Sequence, residues 1–144
     1  MDTPLVPNAL SICYLIGLSI SDLKYKKINR AAAYIFVILG AICMFIFRPG
    51  DNLVLSILVG AAVLLLSALS REAVGYGDGL ILMGIGLFLG WRDALYSLTI
   101  GILLSSPVSL IYMAKNKHKG PDVKKEIPFV PFLLMGLILG QLYG

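Results

Sequence analysis

Six stretches of this chain run without a single charged residue, over positions 5–21, 31–47, 53–70, 80–91, 94–114 and 128–143. A helix that crosses the hydrocarbon of a bilayer needs about 20 consecutive apolar residues, and most of these runs approach that length. The expected fold is therefore an all-α polytopic membrane protein with six transmembrane helices. Composition agrees: 58% of the 144 residues are hydrophobic and 14% are charged, where a soluble domain carries roughly a quarter charged. Residues 1–144 are expected to form a single membrane-embedded domain, with no soluble domain beside it. The fourth run is the exception in length. Twelve residues cover about 18 Å at 1.5 Å per residue, against about 30 Å of hydrocarbon. Its nearest extension runs backward through Ala73-Val74-Gly75-Tyr76-Gly77-Asp78-Gly79, which carries Asp78 about a turn below the membrane surface.

The charges between the runs are sorted by sign and side. If the N-terminus lies outside, the inner segments hold Lys24, Lys26, Lys27, Arg30, Arg71, Lys115, Lys117, Lys119, Lys124 and Lys125, and the outer ones only Arg48 and Arg92. Cytoplasmic loops are enriched in Lys and Arg, so both termini are expected outside, in an inner or plasma membrane. The same sorting puts Asp2, Asp51 and Asp93 outside, and Asp22, Glu72, Asp78, Asp122 and Glu126 on the cytoplasmic side. A two-carboxylate site has to come from the second set.

Other functions find little support. The net charge of +4 resides in interhelical loops rather than on a basic face interleaved with aromatics, so topology and membrane lipid explain it and no nucleic acid partner is expected. Cys13 and Cys43 lie inside apolar runs without CxxC spacing, and His118 stands alone among lysines, so no metal site and no cofactor are expected. No basic n-region precedes the first run, which argues against a cleaved signal peptide. The pairs Gly86/Gly90 and Gly136/Gly140 have the spacing of close helix packing, within the bundle rather than in a dimer. Pro107 is a candidate kink, and Pro128 suits a helix start.

Asp22 closes the first run and Asp78 opens the fourth, so both fall at the cytoplasmic boundary and could meet. Two carboxyl groups forced together in a poorly solvated site share a proton. One can then act as base toward a water while the other protonates a carbonyl oxygen or a leaving amine, which hydrolyses a peptide without metal or covalent intermediate. Taken singly, Asp22 reads rather as an interfacial acid beside Lys24 and Lys26. Asp78 reads as the cap of a glycine-rich turn. Intramembrane acids are rare unless functional, which favours Asp78. Gly75, Gly77 and Gly79 would let a backbone pass close to it. Glu126 is a weaker candidate for binding or orienting a substrate, and Glu72 beside Arg71 an exposed pair.

The segment Asp22-Leu23-Lys24-Tyr25-Lys26-Lys27-Ile28-Asn29, then Gly75-Tyr76-Gly77-Asp78, then Glu126-Ile127-Pro128-Phe129-Val130-Pro131-Phe132 resembles the type IV prepilin peptidases in three motifs, in order, across the whole six-helix core. The family pattern is an Asp ending an early helix, a basic loop running to Ile-Pro-Asn, a GxGD, and an IPFGPF-type segment. Here the proline between Ile28 and Asn29 is missing, and Gly79-Leu80 stands where Val-Lys is usual. The resemblance implies a membrane aspartic endopeptidase that removes the short basic leader of a prepilin or pseudopilin precursor, ahead of its hydrophobic N-terminal helix, at the cytoplasmic face. Asp22 and Asp78 would be its catalytic pair. The paired CxxC motifs of the methylating members are absent, so the resemblance is to the peptidase-only form, as in tight-adherence pilus systems and archaeal preflagellin enzymes, without N-methyltransferase activity or S-adenosylmethionine. The presenilin and signal-peptide-peptidase type shares only the GxGD, and its YD and PAL strings do not occur. A non-enzymatic alternative is a small ion-coupled transporter or a pilus assembly factor that uses Asp78 as a relay. That alternative calls for acids near mid-membrane on several helices, whereas these cluster at one boundary.

Overall fold

The computed structural model describes residues 5–25, 29–47, 49–50, 52–69, 76–115 and 128–143. Among them the regular structure is six helices: α1 (Leu5–Tyr25), α2 (Arg30–Phe47), α3 (Leu53–Leu69), α4 (Tyr76–Leu89), α5 (Trp91–Lys115) and α6 (Val130–Tyr143). Each falls on one of the six apolar runs. α1, α2 and α5 are long and apolar enough to cross a membrane, whereas α3, α4 and α6 are apolar but have 17, 14 and 14 residues. The outward faces carry Ile38, Phe45, Val54, Leu65, Leu103 and Leu110, all exposed. So much exposed apolar surface belongs against lipid, and the chain is a membrane protein.

α4 explains its own shortness. It occupies the middle of the bundle, packed on α3, α2 and α5, and eleven of its fourteen residues are buried. A helix sheathed by its neighbours need not match the thickness of the bilayer itself. Its glycines permit the close approach. An added Cβ at Gly79 would meet Leu64 of α3, at Gly84 the Phe36 ring of α2, and at Gly86 the Ser56 carbonyl oxygen of α3. Gly60 on α3 is packed as closely from the other side, against the backbone of Met83. Small residues are what allow helix backbones to approach in a membrane.

Two boundaries differ from the apolar runs for identifiable reasons. α4 ends at Leu89 because Gly90 turns to a φ of 113°, a conformation that favours glycine, and Trp91 then opens α5 rather than closing α4. Gly90 is thus a buried helix terminator, while Gly86 packs against α3. Gly136 and Gly140 on α6 do pack inside the bundle, an added Cβ meeting the Ser97 carbonyl oxygen and Tyr96 of α5. α1 continues one turn past Ser21 to Tyr25. Its buried stripe, Pro7, Ser11, Leu15, Leu18 and Asp22, keeps helical spacing across the point where the apolar run stops.

α6 packs chiefly on α5 and then on α1, while α1 touches α2 and α4 only lightly. What ties α1 to the rest of the core is aromatic. Tyr14 stacks on Phe36 of α2 with ring centroids 5.0 Å apart, and Phe36 on Phe88 of α4 at 4.9 Å. The Tyr14 hydroxyl also donates to the Ala32 carbonyl, at 2.8 Å. Pro107 lies inside α5, which runs on through it.

Candidate active site

Successive helices alternate in direction, so the C-terminal end of α1 and the N-terminal ends of α2, α4 and α6 share one end of the bundle. Asp22, one turn before the end of α1, retains 5% of its accessible surface, and Asp78, in the first turn of α4, retains 9%. Carboxylates are almost never this deeply buried without partners. The two lie within electrostatic reach of each other. Asp22 comes to this position because it continues the inward stripe of Leu15 and Leu18, whereas Lys24 and Tyr25 next to it face outward.

Asp78 is held by the first turn of α4. Gly77 and Gly79 flank it in a helical turn, although glycine costs about 1 kcal/mol relative to alanine there. The local cost is offset by packing at Gly79, where any side chain would collide with Leu64: its Cβ would stand 2.8 Å from the Leu64 side chain. Glycine at this position therefore serves the approach of α3 to α4, beside Asp78. Gly75 and Glu126, and likewise Glu72 and His118, lie outside the described residues.

α6 supplies a group that no side-chain motif reveals. The backbone N–H of Val130, its first residue, donates to Oδ2 of Asp22 at 3.3 Å. Three segments distant in sequence, around residues 22, 78 and 130, thus converge at one end of the fold.

A polar and aromatic rim lies beside the pair. The hydroxyls of Tyr34 on α2 and Tyr76 on α4 are 3.2 Å apart, and the Arg30 guanidinium carbon sits 5.8 Å from the centre of the Tyr76 ring. All three side chains are exposed. In the sequence Arg30 stands only as a topology charge, and Tyr76 carries no signal of its own. Nothing in the spacing of residues 30, 34 and 76 announces that they meet. Among the described residues no group of three or more His, Cys, Asp or Glu side chains could hold a metal.

Chemically, such an end can hold a water or a peptide carbonyl between two acids that exchange a proton, in surroundings that limit competing solvent. The model of the type IV leader peptidase family matches residues 9–110. The chain belongs to that family. The matched region takes in Asp22 and the glycine-rich turn around Asp78, and stops before α6.

Curated relatives agree. The chain is 35% identical over 79 residues to the prepilin leader peptidase/N-methyltransferase of Aeromonas salmonicida, covering 51% of this chain and 24% of that protein. It is 32% identical over 75 residues to the protein of the same name from Pectobacterium carotovorum, covering 52% and 26%. The alignments thus take in about half of this leader peptidase family chain and about a quarter of each relative's length. No solved structure matches it.

Proposed function

We propose that this chain is an aspartic endopeptidase of the prepilin peptidase type, with Asp22 and Asp78 as the catalytic pair. The observation that carries the proposal is the burial of these two carboxyl groups, 56 positions apart in sequence, within reach of each other at one end of a helical bundle of this family. In the proposed reaction one carboxylate takes a proton from a water poised between them. The water oxygen adds to the scissile carbonyl while the other acid protonates the carbonyl oxygen; on collapse the first group, now protonated, gives its proton to the leaving amine and the second takes a proton back from a hydroxyl of the gem-diol. The proton balance closes within the pair.

The substrate class follows from the family and the relatives' names: a prepilin or pseudopilin precursor with a short basic leader and an apolar N-terminal helix, docked laterally against the bundle in the lipid. The bias of Lys and Arg toward the segments that flank this end supports a cytoplasmic orientation of the site in the inner membrane. The relatives' name couples peptidase with N-methyltransferase. For this chain we propose the peptidase step alone, because its cysteines, Cys13 and Cys43, both lie inside helices and offer no paired CxxC.

The test is co-expression with prepilin-like precursors, read as a fall in substrate mass equal to the leader. Asp22→Asn and Asp78→Asn should each abolish cleavage while the protein still inserts and accumulates. Substantial processing by either variant refutes the assignment of the pair. A wild-type protein that leaves all such precursors intact would favour the relay reading, as transporter or assembly factor, instead.

A further inference from the structure

The start of α6 is built so that one particular backbone donor stays available. Phe129 is the residue whose carbonyl begins the helix: it accepts both the Phe132 N–H at 3.0 Å and the Leu133 N–H at 3.1 Å. A residue in that position ordinarily caps the helix with its own oxygen, and Asn, Asp, Ser and Thr are preferred; phenylalanine has none to offer. The prolines at 128 and 131 have no N–H. In the first turn this leaves the Val130 N–H without an intrahelical acceptor, and it is directed to Asp22, 108 residues away in sequence.

The donor stands on a fixed element. The Ser97 hydroxyl of α5 donates to the Leu133 carbonyl at 2.7 Å. Gly101 and Gly136 bring α5 and α6 into backbone contact around that bond. Val130 and Leu133 are fully buried. A carboxylate on the end of a side chain can rotate about two bonds; an N–H donated to one of its oxygens from such a framework restricts that rotation. The partial positive charge at a helix N-terminus favours an anion in the same place.

We infer that the backbone amide of Val130 positions the Asp22 carboxyl group for the reaction, and that the Pro128-Phe129-Val130-Pro131 segment holds that amide in place and leaves it unclaimed. The inference rests on the peptidase reading above. Val130 is a positioning residue acting through Asp22, and its side chain takes no part.

Val130→Pro removes the N–H alone. Proline is favoured at the first helical position, and it fills nearly the volume of valine. Its kcat for a purified precursor peptide should fall about thirtyfold or more, with KM within about twofold, as expected when a reacting group is misplaced rather than lost. Val130→Ala keeps the N–H and gives up packing; its kcat should fall no more than about threefold although it unfolds more readily. A Val130→Pro enzyme within threefold of wild type, or a Val130→Ala enzyme that falls as far, overturns the inference. So does a loss carried by KM. A second measurement does not depend on how the proline variant folds. In protein labelled with nitrogen-15 valine, the Val130 amide, identified by its disappearance in Val130→Ala, should exchange with solvent at least tenfold faster in Asp22→Ala than in wild type. Unchanged exchange means that the bond is not made. If wild type cleaves and Asp22→Asn does not, while Val130→Pro does, the inference fails and the catalytic pair stands; if Asp22→Asn cleaves, the pair itself fails.

Discussion

Replacing Gly60 by alanine adds one methyl group where α3 lies directly on the backbone of α4. The new Cβ would stand 2.5 Å from the Cα and 2.6 Å from the backbone nitrogen of Met83 on α4, where nonbonded carbons ordinarily rest about 3.5–4.0 Å apart. No side-chain rotation relieves a collision with backbone, so α3 and α4 have to separate by about 1 Å. Forcing a methyl group into a packed core costs about 1–3 kcal/mol, and the rigidity of this contact puts it near the upper end. The gain from replacing a helical glycine offsets about 1 kcal/mol, for a net loss of about 2 kcal/mol. Gly17 on α1 provides the comparison: an added Cβ there meets nothing within 4 Å, so Gly17→Ala keeps the helical gain of up to about 1 kcal/mol. Both variants are to be unfolded by titrating SDS into the same mild-detergent micelles, followed by far-ultraviolet circular dichroism. The expected separation between them is about 3 kcal/mol. Because α4 carries Asp78, precursor cleavage by Gly60→Ala should also fall, by about a hundredfold for a displacement of about 1 Å. If Gly60→Ala is as stable as Gly17→Ala within about 0.5 kcal/mol, the close approach of α3 and α4 is wrong, and with it the account of why α4 is short.

Two further predictions concern the opposite extremes of the same design. Ser97→Ala removes the hydroxyl that donates to the Leu133 carbonyl; that carbonyl is inside α6 and keeps its helical bond, so the loss should be about 0.6 kcal/mol, the usual size for such interhelical bonds in membranes, measured in the same SDS titration. A loss above about 2 kcal/mol would mean that the hydroxyl does more than tie α5 to α6. Asp93, in the first turn of α5, lies at the end of the bundle away from Asp22 and Asp78, and Asp93→Asn should process precursors at a rate within about twofold of wild type; a tenfold loss would contradict the separation of the two ends.

Much of this architecture could be read from sequence because uncharged length is a strong signal: each of the six apolar runs became a helix. The fourth run extends backward as expected, as a helix from Tyr76, and Gly79 in that extension is where Leu64 of α3 comes near. Differences arise where tertiary packing overrides local preference. The acid and the lysine after Ser21 interrupt an apolar run without interrupting a helix, and the spacing of Ser11, Leu15, Leu18 and Asp22 was the sign that Asp22 points inward. Both carboxylates are visible as residues, and their shared boundary already lets them meet; the depth of their burial is not visible, since it depends on how the helices pack around them. The Val130 donor is beyond any side-chain motif, although Pro128 suits the start of a helix there.

The central position of α4 also sets the pattern of substitutions the fold can accept. α5 buries only Ala94, Ser97 and Gly101, a stripe three and four residues apart, so a scan of single replacements along it should show tolerance rising and falling with the helical repeat. Along α4 the same scan should show no repeat. From Asp78 to Leu89 nearly every position faces another helix, so there is no outward side on which sequence can drift, and divergence within this part of the chain has to proceed through paired changes with α2 and α3.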